Sequence, residues 1–261
     1  MSSTATATRP STRRPLDDAD DVQEAIETLA PRWTTWTLQL VTHREEMRFA
    51  DIAASMSWVS SGSLQPRLRA MQDSGLLTRT STGDYRPTSD GRRLSAAHEA
   101  LGAWGSEHLP AAKPVARAEH VERALSALTR SYTTHLLWAV EPGPTSRAEL
   151  LELLPQVPEG TLPGRLIQLT EDGLLARNGA PRHYRYELTA AGRALAPSWD
   201  ALQRWSRGEA AALSTGSPVA AAVSRAQAAV LRGAVPPLVF SHAEPPPPPF
   251  VQHAVAPSRT R

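Results

Sequence analysis

The chain of 261 residues is long enough for one large or two small domains, and its lack of cysteine excludes disulfides, thiol-based sensing and cysteine-ligated zinc. No apolar run approaches the ~20 residues that a membrane span needs, and no secretory signal is visible, so we expect a cytoplasmic protein. Residues 20–107 and 119–209 are each slightly acidic, so the pI of 9.4 is weak evidence for nucleic-acid binding.

The predicted elements begin after an N-terminal arm, residues 1–18, which we expect to be disordered. Apolar periodicity predicts an amphipathic helix over about 20–30, a more buried helix over 33–43 and a short helix at "FADIAASM". A fourth helix ends at Gly75, a glycine that stops it. Two short strands, in "LLTRT" and "DYRPT", and a closing helix complete a winged helix-turn-helix unit, residues 19–107.

The same order of residues returns about a hundred positions later. With Val22 aligned to Val121, "LQPRLRAMQDSGLLTR" faces "LPGRLIQLTEDGLLAR", with a one-residue gap before it, and "DYRPTSDGRRL" matches "HYRYELTAAGRAL". A match that holds its order through every predicted element indicates a tandem duplication. The second winged unit is then residues 119–208, and residues 108–118 form a linker.

A C-terminal tail, residues 209–261, follows the repeats. Residues 217–232 place Val219, Val223, Ala226 and Val230 on one face, which predicts a helix. Residues 235–249 are rich in proline and favour an extended polyproline II conformation.

The joint pattern resembles the HxlR-type winged helix-turn-helix transcriptional regulators of bacteria. The resemblance rests on "RWTTWTLQLV", "LQPRLRAMQDSGLLTR", "YRPTSDGRRL" and their counterparts in the second repeat. It implies a mainly α fold with small β-hairpin wings, and a cytoplasmic regulator that binds double-stranded operator DNA as a homodimer through its first and last helices. Family members usually carry Cys-Pro before the first helix, which this chain lacks. Because two units are fused, we expect two tandem winged helix-turn-helix domains that form an internal pseudo-dimer.

The recognition helices offer few hydrogen-bond donors for reading bases in a major groove. Pro66 and Pro163 predict that these helices begin late, with Ser63 and Thr161 as N-caps, or are kinked. Glu159 would face phosphates of the same sign. The predicted DNA-binding residues of the helices are Ser61, Ser63, Gln65, Arg67, Arg69, Thr161 and Arg165.

Arginines around the wings are the other candidates for DNA contacts, because wing arginines commonly touch phosphate or the minor groove. They are Arg79, Arg86, Arg177, Arg182 and Arg185. The alternative for them is a solvated strand edge. Arg67 and Arg165 fit a scaffold role behind the recognition helix as well as phosphate binding. For Tyr85, Tyr186 and the Thr-Thr pairs at 34–35 and 133–134, packing is the favoured interpretation.

Seven tryptophans suggest either core and interface packing or an aromatic ligand cavity at the junction of the repeats. No metal-ligand spacing, phosphate loop, dinucleotide fingerprint or nucleophile motif occurs, so we predict no cofactor, no metal site and no enzymatic activity.

The sequence thus favours a DNA-binding transcriptional regulator built from two fused units. A small-molecule effector and a homodimer beyond the internal pseudo-dimer stay open. The alternative is a degenerate winged-helix scaffold that binds a protein or a small molecule and has lost specific DNA binding. In a variant of it, the second repeat serves only as a dimerisation partner for the first. No membrane partner is expected.

Overall fold

Helices dominate the computed structural model, which describes residues 14–109, 115–180 and 183–209. The first repeat contains six helices and a two-stranded antiparallel wing. They are α1 (Asp18–Leu29), α2 (Thr34–Arg44), α3 (Phe49–Ser55), α4 (Ser61–Asp73), β1 (Leu77–Arg79), β2 (Tyr85–Pro87), α5 (Ser89–Arg93) and α6 (Ser95–His108).

The second repeat follows the same order with one additional strand. Its elements are α7 (Arg117–Leu128), α8 (Thr133–Val140), β3 (Thr145–Ser146), α9 (Arg147–Leu153), α10 (Leu162–Glu171), β4 (Leu175–Asn178), β5 (Arg185–Leu188), α11 (Ala190–Arg193) and α12 (Ala196–Ser206). Both repeats are winged helix-turn-helix units, so the predicted fold class is confirmed.

Strand β3 was missed by the sequence analysis. It pairs antiparallel with β5, so the second wing has the strand order β3-β5-β4. In the first repeat the equivalent segment contributes only an isolated bridge between Met47 and Tyr85. Two residues of extended chain carry no alternation of apolar and polar side chains, so no sequence pattern could indicate this strand.

The repeated Thr-x-x-Gly that links the two wings to their closing helices has a steric cause. The Thr88 hydroxyl accepts a hydrogen bond from the backbone N–H of Gly91 at 3.0 Å and caps the short helix α5. A Cβ on Gly91 would lie 2.3 Å from the carbonyl oxygen of Leu76, so only glycine fits there. Thr189 and Gly192 repeat both features in the second unit.

The two repeats pack through their first and last helices. Helix α1 contacts α8 and α12 of the second repeat, while α7 contacts the equivalent α2 and α6 of the first. Helices α6 and α12 also contact each other. Because each contact has a counterpart with the repeats exchanged, the chain forms an internal pseudo-dimer.

Tryptophan side chains make one pair of these reciprocal contacts. The indole Nε1 of Trp104 donates to the carbonyl oxygen of Ala191 at 2.9 Å, and that of Trp205 donates to the carbonyl oxygen of Asp90 at 2.9 Å. The tryptophan in the last helix of each repeat therefore donates to the short helix, α5 or α11, that precedes the last helix of the other repeat.

A second reciprocal pair concerns the beginnings of α2 and α8. The residues before these helices, Trp33 and Tyr132, adopt left-handed backbone conformations, and neither side chain caps its helix. For α8 a cap comes from the other repeat, because the Thr134 N–H donates to the Gln23 Oε1 at 3.5 Å. Buried Gln23 of α1 reaches α8, where its Oε1 accepts a hydrogen bond from the Thr134 hydroxyl at 2.8 Å.

Glu122 of α7 occupies the position equivalent to Gln23. It is 3% exposed and lies beside the backbone N–H groups of Trp33 and Trp36 at the start of α2. Neither oxygen of its carboxylate accepts a hydrogen bond of good geometry from these N–H groups. Arg32 pairs with its carboxylate at 3.2 Å. Burial raises the pKa of Glu122 to about 7, against the opposing effect of Arg32. One half of the interface therefore uses a neutral amide where the other uses a titratable carboxyl group.

Several predicted segments lie outside the described residues: the arm up to residue 13, the centre of the linker, Arg182 and the tail from residue 210. Within the described part of the chain, no helix has the length and apolar character needed to cross a membrane.

We predict that Glu122→Gln removes a pH dependence from the stability of the fold. Because the pKa of this carboxyl group is raised in the folded protein, the fold favours protonated Glu122. The contribution of Glu122 to the free energy of unfolding is therefore highest below about pH 4.5 and decreases as pH rises through about 7. At pH 8 the variant should be more stable by about 2–3 kcal/mol, and the difference should shrink towards pH 5. Urea unfolding at several pH values measures this.

The matched control is Gln23→Glu, which places a carboxyl group at the equivalent position, where Ser131 replaces Arg32. This control should lose stability as pH rises. A stability difference between Glu122→Gln and the parent chain that stays constant from pH 5 to pH 8 would contradict the assignment.

Candidate nucleic-acid interface

Helix α4 is the recognition helix of the first repeat, and it begins earlier than predicted. Its N-cap is Ser60, whose side chain accepts a hydrogen bond from the backbone N–H of Ser63 at 3.3 Å. The expected late start at Ser63 is therefore wrong, because the helix already has a cap three residues before that position. Pro66 consequently lies inside the helix. Ser61, Ser63 and Gln65 are all exposed on its first turns.

Helix α10 is its counterpart in the second repeat and begins late, as the sequence suggested. Thr161 occupies the N-cap position and is exposed, but its side chain makes no capping hydrogen bond. Pro163 lies in the first turn, where its missing N–H costs nothing. Glu159, just before the helix, forms an ion pair with Arg147 at 3.1 Å.

Arg67 and Arg165 occupy equivalent positions, and both are only partly exposed. The Arg165 guanidinium donates to the carbonyl oxygen of Ser131 at 3.1 Å and to the Thr133 hydroxyl at 2.6 Å, which ties α10 to the start of α8. Burial lowers the pKa of Arg67, and the Glu122 carboxylate opposes that shift. These contacts support the scaffold interpretation, while phosphate binding by the two residues stays a prediction.

Arg86 and Arg185 of the wings are engaged in ion pairs. Arg86 pairs with Glu46. Arg185 pairs with Glu149 at 3.1 Å and also donates to the carbonyl oxygen of Pro144 at 2.6 Å. The Arg86 pair ties β2 to the loop before α3, and the Arg185 contacts tie β5 to α9 and to the residues before it. Each carboxylate offsets part of the positive charge at the strand.

Arg79 and Arg177 occupy equivalent positions on β1 and β4 and are both exposed. Each guanidinium lies over a tyrosine ring, at 5.7 Å from the Tyr85 centroid for Arg79 and 4.3 Å from the Tyr184 centroid for Arg177. Neither has a carboxylate partner in the part of the chain that the structure describes. Stacking limits the motion of these cations without neutralising them. Phosphate binding by these two arginines stays a prediction.

The tyrosine and threonine side chains behave as packing groups. Tyr85 and Tyr186 are buried, as expected. Thr34 and Thr133 are also buried, and their hydroxyls donate to the carbonyl oxygens of the residues three positions earlier. Tyr184, whose ring lies under the Arg177 guanidinium, was not among the predicted residues. Its position two residues before Tyr186 could have indicated it.

The tryptophans support the interpretation as core and interface residues. Trp138 packs edge-to-face on Trp199, and Trp36 on Trp58. A groove of about 450 Å³ between α8 and α9 contains no tryptophan and is lined by Pro142, Gly143, Pro144, Thr145, Glu149, Glu152 and Leu153. This groove therefore does not support the predicted aromatic ligand cavity.

The family model described as HxlR-like helix-turn-helix matches the chain twice, over residues 28–113 and 127–212. The chain belongs to this family. The matches cover both repeats, so the HxlR-type tandem duplication read from the sequence is confirmed. This HxlR-like family is a regulatory DNA-binding family, and the chain is accordingly a DNA-binding transcription regulator. No curated protein and no solved structure gives a significant match.

We predict that replacing Arg79 and Arg177 together by alanine weakens binding to any duplex DNA. Because each side chain would neutralise one phosphate, the slope of log affinity against log salt concentration should become shallower by about two. Titration of a labelled duplex at several salt concentrations measures both quantities.

The control is the double Arg79→Lys, Arg177→Lys variant, which keeps both charges and should retain most of the salt dependence. An alanine variant with unchanged affinity and unchanged slope would show that the wings do not touch phosphate.

Proposed function

We propose that this regulator binds operator DNA as an internal pseudo-dimer, with both winged units of one chain on one duplex. The observation that carries the proposal is the pair of stacked, exposed arginines at equivalent positions of the two wings. Among the described residues, neither Arg79 nor Arg177 has a carboxylate partner. Two such cations on a pair of fused units suit the regular negative charge of a duplex.

Affinity in this proposal comes mainly from the phosphate backbone. The wing arginines supply it, together with the basic arm before α1. Arg14, the arm arginine that the structure describes, is already paired with Asp200 at 2.7 Å, so the arm's contribution would come from the arginines before it. Base readout is modest and comes from Ser61, Ser63, Gln65 and Thr161, which are exposed at the starts of the two recognition helices.

The fusion of the two units has a thermodynamic consequence. Once one unit is bound, the linker and the reciprocal contacts hold the second unit at a high effective concentration beside the same duplex. A single chain would then bind its site without the concentration dependence of a separate dimerisation step.

A second candidate function is a winged-helix scaffold that binds a protein or a small molecule. The observation that favours it is the composition of α10, which is poor in donors and exposes Ile167 to 52%. A small-molecule effector would also suit a regulator that keeps DNA binding, and quenching of tryptophan fluorescence by candidate metabolites tests for one.

The experiment that separates these functions is binding of the purified chain to fragmented genomic DNA, with its own promoter included, at two salt concentrations. We expect tight binding to a few fragments that weakens steeply as salt rises. Absence of binding, or equally weak binding to every fragment, would contradict the proposal and favour the scaffold.

A further inference from the structure

The two recognition helices bury equivalent positions but expose different side chains. In α4 the core side is formed by Leu64, Leu68 and Met71, and in α10 by Leu162, Leu166 and Leu169. The outward positions lie opposite these residues on the helical wheel. Those of the first repeat are Gly62, Pro66, Arg69 and Asp73, and those of the second are Gly160, Gly164, Ile167 and Glu171, all but the second-repeat Gly160 within the helices.

The middle of each outward stripe has one long side chain. Pro66 and Gly164 are short, and an added Cβ at Gly164 would meet nothing within 4 Å. Arg69 and Ile167 are therefore the larger side chains at the middle of the two outward stripes. Both are exposed, and Ile167 has 52% of its surface accessible. Within the described residues, Arg69 makes no hydrogen bond or ion pair, so its five donors are available.

Other positions of the two helices also differ in the hydrogen-bond donors that they offer. Gln65 of the first repeat corresponds to Pro163 of the second, which has no side-chain donor. Gln168 of α10 already donates to Asp172 at 2.9 Å. The first helix therefore offers free hydrogen-bonding groups, whereas the second offers mainly apolar surface.

We propose that Arg69 and Ile167 give the two half-sites different base preferences, so that the operator of this chain is not palindromic. Arginine pairs with O6 and N7 of guanine in the major groove, and an aliphatic side chain packs against the C5 methyl group of thymine. The half-site under the first repeat carries guanine at the Arg69 contact. The half-site under the second repeat carries thymine at the Ile167 contact. This inference rests on the proposed function, because both helices must enter a major groove.

The internal pseudo-dimer allows the two recognition helices to differ in sequence. In a homodimer the two recognition helices have one sequence, so the operator mirrors the protein's twofold symmetry. Here the two helices are encoded separately, and position 69 can differ from its equivalent, position 167, without changing the contacts that join the repeats.

The test begins with selection of a random-sequence duplex library by the full-length chain. We expect two unlike half-sites, with guanine in one and thymine in the other. Uracil is then placed at each thymine of the selected duplex, which removes only the methyl group. Affinity should fall about fourfold at the Ile167 contact. The Ile167→Ala variant should show no such loss.

The matched variant is Arg69→Ala, which should lose about 5- to 100-fold discrimination for guanine in the other half-site and keep its sensitivity to uracil. Both side chains are exposed, and unchanged thermal midpoints confirm that the variants fold. A palindromic consensus, or a uracil effect that is absent or survives in Ile167→Ala, would overturn the inference while leaving DNA binding intact. A library without any enrichment, together with no salt-dependent binding to duplex DNA, would overturn the proposed function and this inference with it.

Discussion

The insertion of a buried polar side chain from the first helix of each repeat at the start of the other repeat's second helix is the constraint on which the rest of the structure depends. Helices α2 and α8 each begin after a residue with a left-handed backbone and without a side-chain cap of their own. Gln23 and Glu122 approach these helix starts from the first helix of the opposite repeat, inside a buried interface. A buried helix end without partners is costly, and at α8 the Gln23 Oε1 of the other repeat accepts from the Thr134 N–H and hydroxyl. At α2 the Glu122 carboxylate pairs with Arg32, which stands just before the helix.

That dependence explains which parts of the duplication were free to diverge. The interface keeps its reciprocal pattern, down to the indole hydrogen bonds of Trp104 and Trp205. The wings keep a stacked arginine at equivalent positions. The outward faces of the recognition helices lie away from the core of their own units, and there Arg69 and Ile167 differ completely in chemistry. A fused chain can hold its architecture constant while its two reading surfaces change independently.

Most of the fold could be predicted because the duplication made each pattern visible twice. Gly75 and Gly173 end their helices with a φ of +72°, as their place after an apolar helical run indicated. Repetition also made Gly91 and Gly192 conspicuous before their close approach to a carbonyl oxygen was known. The family resemblance supplied the pairing through first and last helices, which no local pattern encodes.

The unpredicted features share a cause, since they depend on contacts between residues distant in sequence. Nothing in the local sequence marks Glu122 as a buried group at the start of a helix of the other repeat. The ion pairs that occupy Arg86 and Arg185, and the contacts that turn Arg165 inward, appear only when the chain is folded. Composition could list the arginines of the site, but it could not separate those that pair with a carboxylate from those that do not pair with one among the described residues.

The central claim is that one chain supplies both DNA-reading units, and the mass of its complex with a single operator duplex tests this most directly. Sedimentation equilibrium should give one chain per duplex, on a footprint that covers two half-sites. Two chains on such a duplex, each covering one half-site, would show that the reading unit is an intermolecular dimer and would contradict the account.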